Sequence, residues 1–108
     1  MAINYKNYLT ANVGNTAVTV FNPTTAGIQT TLIGFNISNT NSVPVTANVT
    51  LTSGATTVYL IKNVVLPVGN ALNTIDAGKM ILEQNDILRV SCSLANSVDV
   101  VVSTVEVN

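Results

Sequence analysis

The sequence predicts an all-β chain folded as a single antiparallel β-sandwich, and three observations carry that expectation. Seventeen valines and fifteen threonines among 108 residues give an excess of branched Cβ atoms, which suit the pleated, half-buried surface of a strand. Apolar residues recur in short runs of period two, and no stretch holds a helical period over three turns. Clusters of Gly, Pro, Asn and Ser interrupt these runs about every ten residues, the spacing of sandwich and barrel strands.

Taken in order, residues 1–14 carry Tyr5, Lys6 and Tyr8 without a clear period. They are expected as an extended N-terminal arm ahead of a sandwich domain over 15–108. The first strand is expected at 16–21, ended by Pro23 and Gly27 in a turn. A central strand follows at 28–38, with Ile33, Phe35 and Ile37 on one face and Gly34, Asn36 and Ser38 on the other. Residues 43–52 give the cleanest alternation, Val45, Ala47, Val49 and Leu51 against threonines and Asn48. Ser53-Gly54 turns the chain into 56–62, where Val58 and Leu60 share one face and Tyr59 and Ile61 the other, so both faces are expected to be covered.

Pro67 and Gly69 break the chain before a short run at 71–75, and Asp76-Ala77-Gly78 turns it again. A brief strand at 79–82 and the turn Glu83-Gln84-Asn85-Asp86 lead to a strand at 87–94, then a turn at Ala95-Asn96 and the last strand at 97–108. There Val98, Val100 and Val102 share one parity while Val105 and Val107 take the other. A β-bulge near Ser103-Thr104 is expected to restore a common inward face, leaving Val101 outward among polar neighbours.

Only nine residues are charged, 8% of the chain, against about 25% in an average soluble domain. Fifteen Asn and seven Ser join the threonines as the source of hydrophilicity. A net charge of −1 leaves no basic footprint, so direct binding of nucleic acid is not expected. No apolar run approaches the ~18 residues that span a bilayer, and the first residues do not read as a signal peptide. The expectation is a soluble chain without a membrane partner or an export address of its own.

Histidine is absent, which removes the usual general base and the commonest metal ligand together. The single Cys92 falls in the alternating run Leu88, Val90, Cys92, Leu94, where a buried, unreactive thiol is expected. Asp76, Glu83, Asp86, Asp99 and Glu106 fall in turns or on polar sides of strands, where a solvated charge is ordinary. Glu83 and Asp86 with Gln84 and Asn85 do not match the spacing of a calcium loop. No cofactor, metal or catalytic residue is expected. Asn36-Ile37-Ser38 and Asn48-Val49-Thr50 fit the N-glycosylation pattern, as chance produces in so Asn- and Thr-rich a chain. Tyr5, Tyr8 and Tyr59 suit a protein interface better than a sugar-stacking face.

Surface scaling gives a folded surface of roughly 5,700 Å² against about 16,400 Å² unfolded. Burial of the apolar share contributes roughly 160 kcal/mol, and ordering the chain costs about the same. The isolated monomer is thus expected to be marginal, and association would help it.

Four stretches stand out: Tyr59-Leu60-Ile61-Lys62-Asn63, the turn Leu66-Pro67-Val68-Gly69-Asn70-Ala71-Leu72, the segment from Lys79 through Leu82-Glu83-Gln84-Asn85-Asp86 to Val90, and Ser97-Val98-Asp99-Val100-Val101-Val102-Ser103. Together they resemble a group of small structural proteins of tailed-phage virions, frequent in phages of cyanobacteria and other aquatic bacteria. The resemblance covers roughly 21–107. Asn85 stands where that group usually has Gly, and Asn tolerates the left-handed backbone well enough to keep the turn.

The resemblance implies a jelly-roll-like sandwich and a non-enzymatic structural role in the virion, assembled in the host cytoplasm. A capsid decoration or cement protein is expected first, self-associating as a trimer and contacting the major capsid protein or other virion proteins. A neck, tail or fibre component is the alternative, and a carbohydrate-binding adhesion module a more distant one. Tyr5, Tyr8, Tyr59, Ile61 and Val101 are the candidate interface residues.

Overall fold

The computed structural model describes residues 2–73 and 80–108. The turn expected at 76–78, with Asp76 and Lys79, lies outside the described residues. The strands are β1 (Ile3–Val13), β2 (Val18–Phe21), β3 (Gln29–Asn39), β4 (Val45–Ser53), β5 (Thr56–Leu66), β6 (Ala71–Asn73), β7 (Met80–Leu82), β8 (Ile87–Cys92) and β9 (Val98–Val107).

They form two antiparallel sheets. The first runs β1-β9-β3, with β6 and β7 both on the far side of β3, and the second runs β2-β8-β4-β5. With β6 and β7 counted as one interrupted position, this is the eight-position order of a jelly roll, two Greek keys wound into a sandwich. The β4–β5 hairpin closes through Gly54-Ala55, with Ser53 opposite Thr56. Gly54 takes φ +61°, which a residue without Cβ adopts at little cost at the first loop position.

The inner faces alternate as a half-buried sheet requires. Leu32, Phe35 and Ile37 of β3 and Val98, Val100 and Val102 of β9 meet Ala47 and Val49 of β4 and Leu88 and Val90 of β8, all buried. Thr30 and Thr104 are buried at one end. At the other end buried Asn39 joins two loops: its Nδ2 donates to the carbonyls of Val43 at 3.0 Å, Leu66 at 2.9 Å and Pro67 at 3.3 Å, and its Oδ1 accepts the Asn41 N–H. One side chain thus satisfies buried backbone that would otherwise be costly to leave unpaired.

Three sequence expectations are corrected. Residues 1–14 are not an arm outside the sandwich: β1 pairs with β9 from Ile3 opposite Val107 to Val13 opposite Val98. The bulge expected in the last strand is absent, so Val105 and Val107 face outward instead of rejoining the inward face, and the irregularity lies on the partner strand. β9 keeps strict alternation through Thr104, while β3 carries the extra residue between Leu32, opposite Thr104, and Gly34, opposite Ser103. That residue is Ile33, which is therefore exposed, and Leu32 takes the inward place expected of it. In β5, Leu60 is the extra residue between Tyr59, opposite Thr50, and Ile61, opposite Val49. Leu60 and Ile61 consequently both pack on the core, and the outward face left to Ile61 by simple alternation does not exist.

The Asn-rich composition has a backbone use. Asn12, Asn63, Asn85 and Asn96 are the non-glycine residues with positive φ among those described, and Asn is the side chain best suited to that region after Gly. Asn85, at φ +71°, keeps the 83–86 turn as expected. The Asp86 carboxylate accepts the Glu83 N–H at 2.9 Å within it.

Candidate interaction surface

The two outer faces of the sandwich differ in kind. On the first sheet, Ile3, Tyr5, Asn7 and Leu9 of β1 face outward, their neighbours in the strand facing the interior side. Register places Tyr5 beside Val105, Val105 beside Thr31, and Thr31 beside Ile81 of β7, one row running across four strands. A second row runs Leu9, Val101, Asn36, and a third Ile3, Val107, Gln29. Ile33 is pushed onto the same face by the β3 bulge.

Tyr5, Leu9 and Ile81 are each 75% exposed, and Ile3 is 57% exposed. Ser103 and Asn7 sit between the rows, their side chains bonded to each other at 2.7 Å. Among the described residues, charge lies at the edges of this face: Asp99, whose Oδ1 accepts the Asn12 N–H at 3.0 Å, and exposed Glu83, which follows β7 and lines a shallow pocket with Gln29, Thr31 and Ile81.

The second sheet is polar outside. Thr19, Arg89 and Thr50 line up with Tyr59, Arg89 donates to Thr52 at 3.3 Å, and Thr52 and Thr57 share a hydrogen bond. Lys62 places its Nζ 5.0 Å from the Tyr59 ring centre, within cation–π range.

The candidate interface residues therefore separate. Tyr5 and Val101 lie on the apolar face, and Val101 is flanked by Leu9 rather than standing alone among polar groups. Tyr59 is exposed on the opposite, polar face. Tyr8 and Ile61 are turned inward. The Tyr8 ring lies 4.6 Å from that of Phe21, tilted by 54°, and its hydroxyl donates to Glu106, whose Oε2 also accepts from Thr104 Oγ1 at 2.9 Å. Burial first, then the bond to Glu106 and its charge, push the phenol pKa up to about 12.

Ile3, Leu9 and Ile81 were not singled out in the sequence. The signal for two of them was present, since Ile3, Tyr5, Asn7 and Leu9 are one parity of an alternating strand. Its apolar side faces out, the reverse of the usual pattern.

A cleft of about 450 Å³ opens between the sheets at the Glu106 end, lined among others by Lys6, Tyr8, Phe21, Thr30 and Glu106. Its carboxylate is already engaged by two hydroxyls. Among the described residues no group of three or more metal-ligating side chains comes together, and no helix is long and apolar enough to cross a membrane. Cys92 is buried, its Sγ near the carbonyls of Leu94 at 3.0 Å and Val13 at 3.4 Å. Of the sequon asparagines, Asn48 accepts the Asn63 N–H at 2.8 Å and Asn36 accepts from Ser38. The described residues thus hold no catalytic constellation.

No protein family matches the chain, and no curated protein does. Among solved structures it is similar to one from work on Bacillus endospore appendages, described as a family of disulfide-linked pili. The TM-score is 0.56 at 15% identity, over 96% of this chain and 86% of the other. At that identity the likeness is one of fold.

Proposed function

We propose that this chain is a non-enzymatic structural subunit whose work is done by packing against other protein subunits, and that its place is the virion of a tailed phage, as a capsid decoration or cement protein. The observation that carries the reading is the first sheet's outer face, where Ile3, Tyr5, Leu9 and Ile81 stand exposed among uncharged polar residues and the charges among the described residues, Asp99 and Glu83, lie at its edges. Contiguous apolar surface beyond a few hundred Å² is rare on a lone soluble protein and marks a contact surface. The sequence resemblance to phage virion proteins supplies the finer placement. A position at the neck, tail or fibre would use the same face.

The fold likeness to a pilus-family structure favours a second reading, a subunit of an extracellular filament. Disulfide linkage does not carry over on what is seen here, because Cys92 is buried beneath β1 with its thiol near two carbonyls.

Electron microscopy of purified particles from a producing culture tests the placement. Density for this sandwich on the outer shell is the expected result. Density at the neck or tail selects the alternative position, and absence from particles with presence in extracellular filaments selects the pilus-like reading.

A further inference from the structure

We propose that the outer face of the first sheet binds the same face of a second copy of this chain, sheet against sheet, across a two-fold axis. The inference rests on the reading of the chain as an assembly subunit and names its first partner.

Three observations point to a second copy. Among the described residues the face is nearly free of charge: the outward side chains within β1, β9, β3 and β7 are Ile, Tyr, Leu, Val, Thr, Ser, Asn and Gln, with Asp99 at one edge, tied to Asn12, and Glu83 at the end of β7. A complementary surface must also lack charge there, because an unmatched buried charge is heavily penalised. This face meets that condition and the outer face of the second sheet, with Arg89 and Lys62, does not.

The size also fits. Three strands about 4.8 Å apart and about 33 Å long, with three-residue β7 beside them, present roughly 500 Å² per copy, or about 1,000 Å² in total, the least that a specific interface needs. The number of apolar faces decides the symmetry. A ring of three needs two different complementary surfaces on each copy, whereas a single face that matches itself closes in a pair. On this proposal the first association step is a pair, where the resemblance implies a trimer. Face-to-face packing of twisted sheets at about −30° is a common way to bury two such surfaces.

Edge pairing through β1 is the competing arrangement, and Ile81 separates the two. It lies on β7, across the sheet from β1, yet in the same row as Tyr5. Sedimentation and native mass measurement on the full chain from about 1 to 100 µM, with Ile81→Lys and Tyr5→Lys alongside, give the test. Both substituted positions are 75% exposed, and a thermal scan of each variant checks that it folds.

The expected result is a wild-type species of twice 11.3 kDa and, for each variant, dissociation strengthened by at least about 30-fold, as for a charge placed inside a dry contact. A wild type that stays monomeric throughout, a trimer, or an Ile81→Lys protein that pairs as tightly as wild type each overturns the proposal. Particle incorporation of the same proteins is scored separately. Incorporation of a monomeric wild type overturns the pair and leaves the structural role standing, while pairing in solution without incorporation into any assembly overturns the role and leaves the pair.

Discussion

Tyr8 shows how one residue can look like a contact group in sequence and serve the interior in the fold. Its ring packs on Phe21, and its hydroxyl shares Glu106 with Thr104, so a small polar network rather than more apolar mass lines the cleft at this end of the sandwich. The phenol holds its proton to about pH 12, above the ordinary value near 10 that it regains on unfolding. Folding therefore has the full support of this group below about pH 10 and loses it as pH rises through about 12. Tyr8→Phe keeps the ring and removes the bond, with an expected loss of about 1 kcal/mol at neutral pH. Denaturant titrations from pH 8 to 12 should show wild-type stability falling above pH 10 more steeply than that of Tyr8→Phe. Parallel curves would place the phenol outside the linkage.

At the scale of elements, β1 is the strand whose role changed most between sequence and structure. Most of its inward-facing positions are polar, Asn4, Lys6, Tyr8 and Thr10, while Ile3, Tyr5 and Leu9 face outward, so the binary pattern that marks a core-facing strand is inverted. Lys6 and Glu106 line the cleft on that inner side, and little apolar mass lies beneath the start of the strand. Removing 1–14 should cost the sandwich the burial of Val13 and Tyr8, about 1.5–3 kcal/mol each. It would also bare the whole edge of β9, an invitation to aggregate. At 4–8 °C per kcal/mol for a domain of this size, the truncated chain should melt at least about 10 °C lower. An unchanged melting temperature would mean that β1 pairs too weakly to count as part of the sandwich.

The other strands were legible because their pattern is upright. Val45, Ala47 and Val49 of β4, Leu88 and Val90 of β8, and Val98, Val100 and Val102 of β9 alternate in the sequence as they do in the core. Bulges were not legible at their true sites. The phase change around Val105 was visible, but it marks valines turned to the outer face rather than a bulge, and only register shows that the extra residue is Ile33 of β3. Nor could single-strand patterns bring Tyr5 and Ile81 together, since their adjacency depends on β9 and β3 lying between them.

At the scale of the whole molecule, the jelly-roll order gathers nearly all outward apolar mass of the first sheet onto one side and leaves the cations Arg89 and Lys62 on the other. The folded surface is 6033 Å², close to the roughly 5,700 Å² expected for this mass. With so little charge on that face, its association should be nearly indifferent to simple salt. Raising NaCl from about 0.1 to 1 M shortens the screening length from about 10 Å to about 3 Å, which weakens contacts built on ion pairs. Here the dissociation constant should move by less than about threefold, and ammonium sulfate, which favours burial of apolar surface, should tighten it. Sedimentation across both salt series measures the effect. A tenfold weakening in NaCl would assign the contact to the sparse charges of the polar sheet, Arg89 and Lys62 first, and away from Tyr5, Leu9 and Ile81.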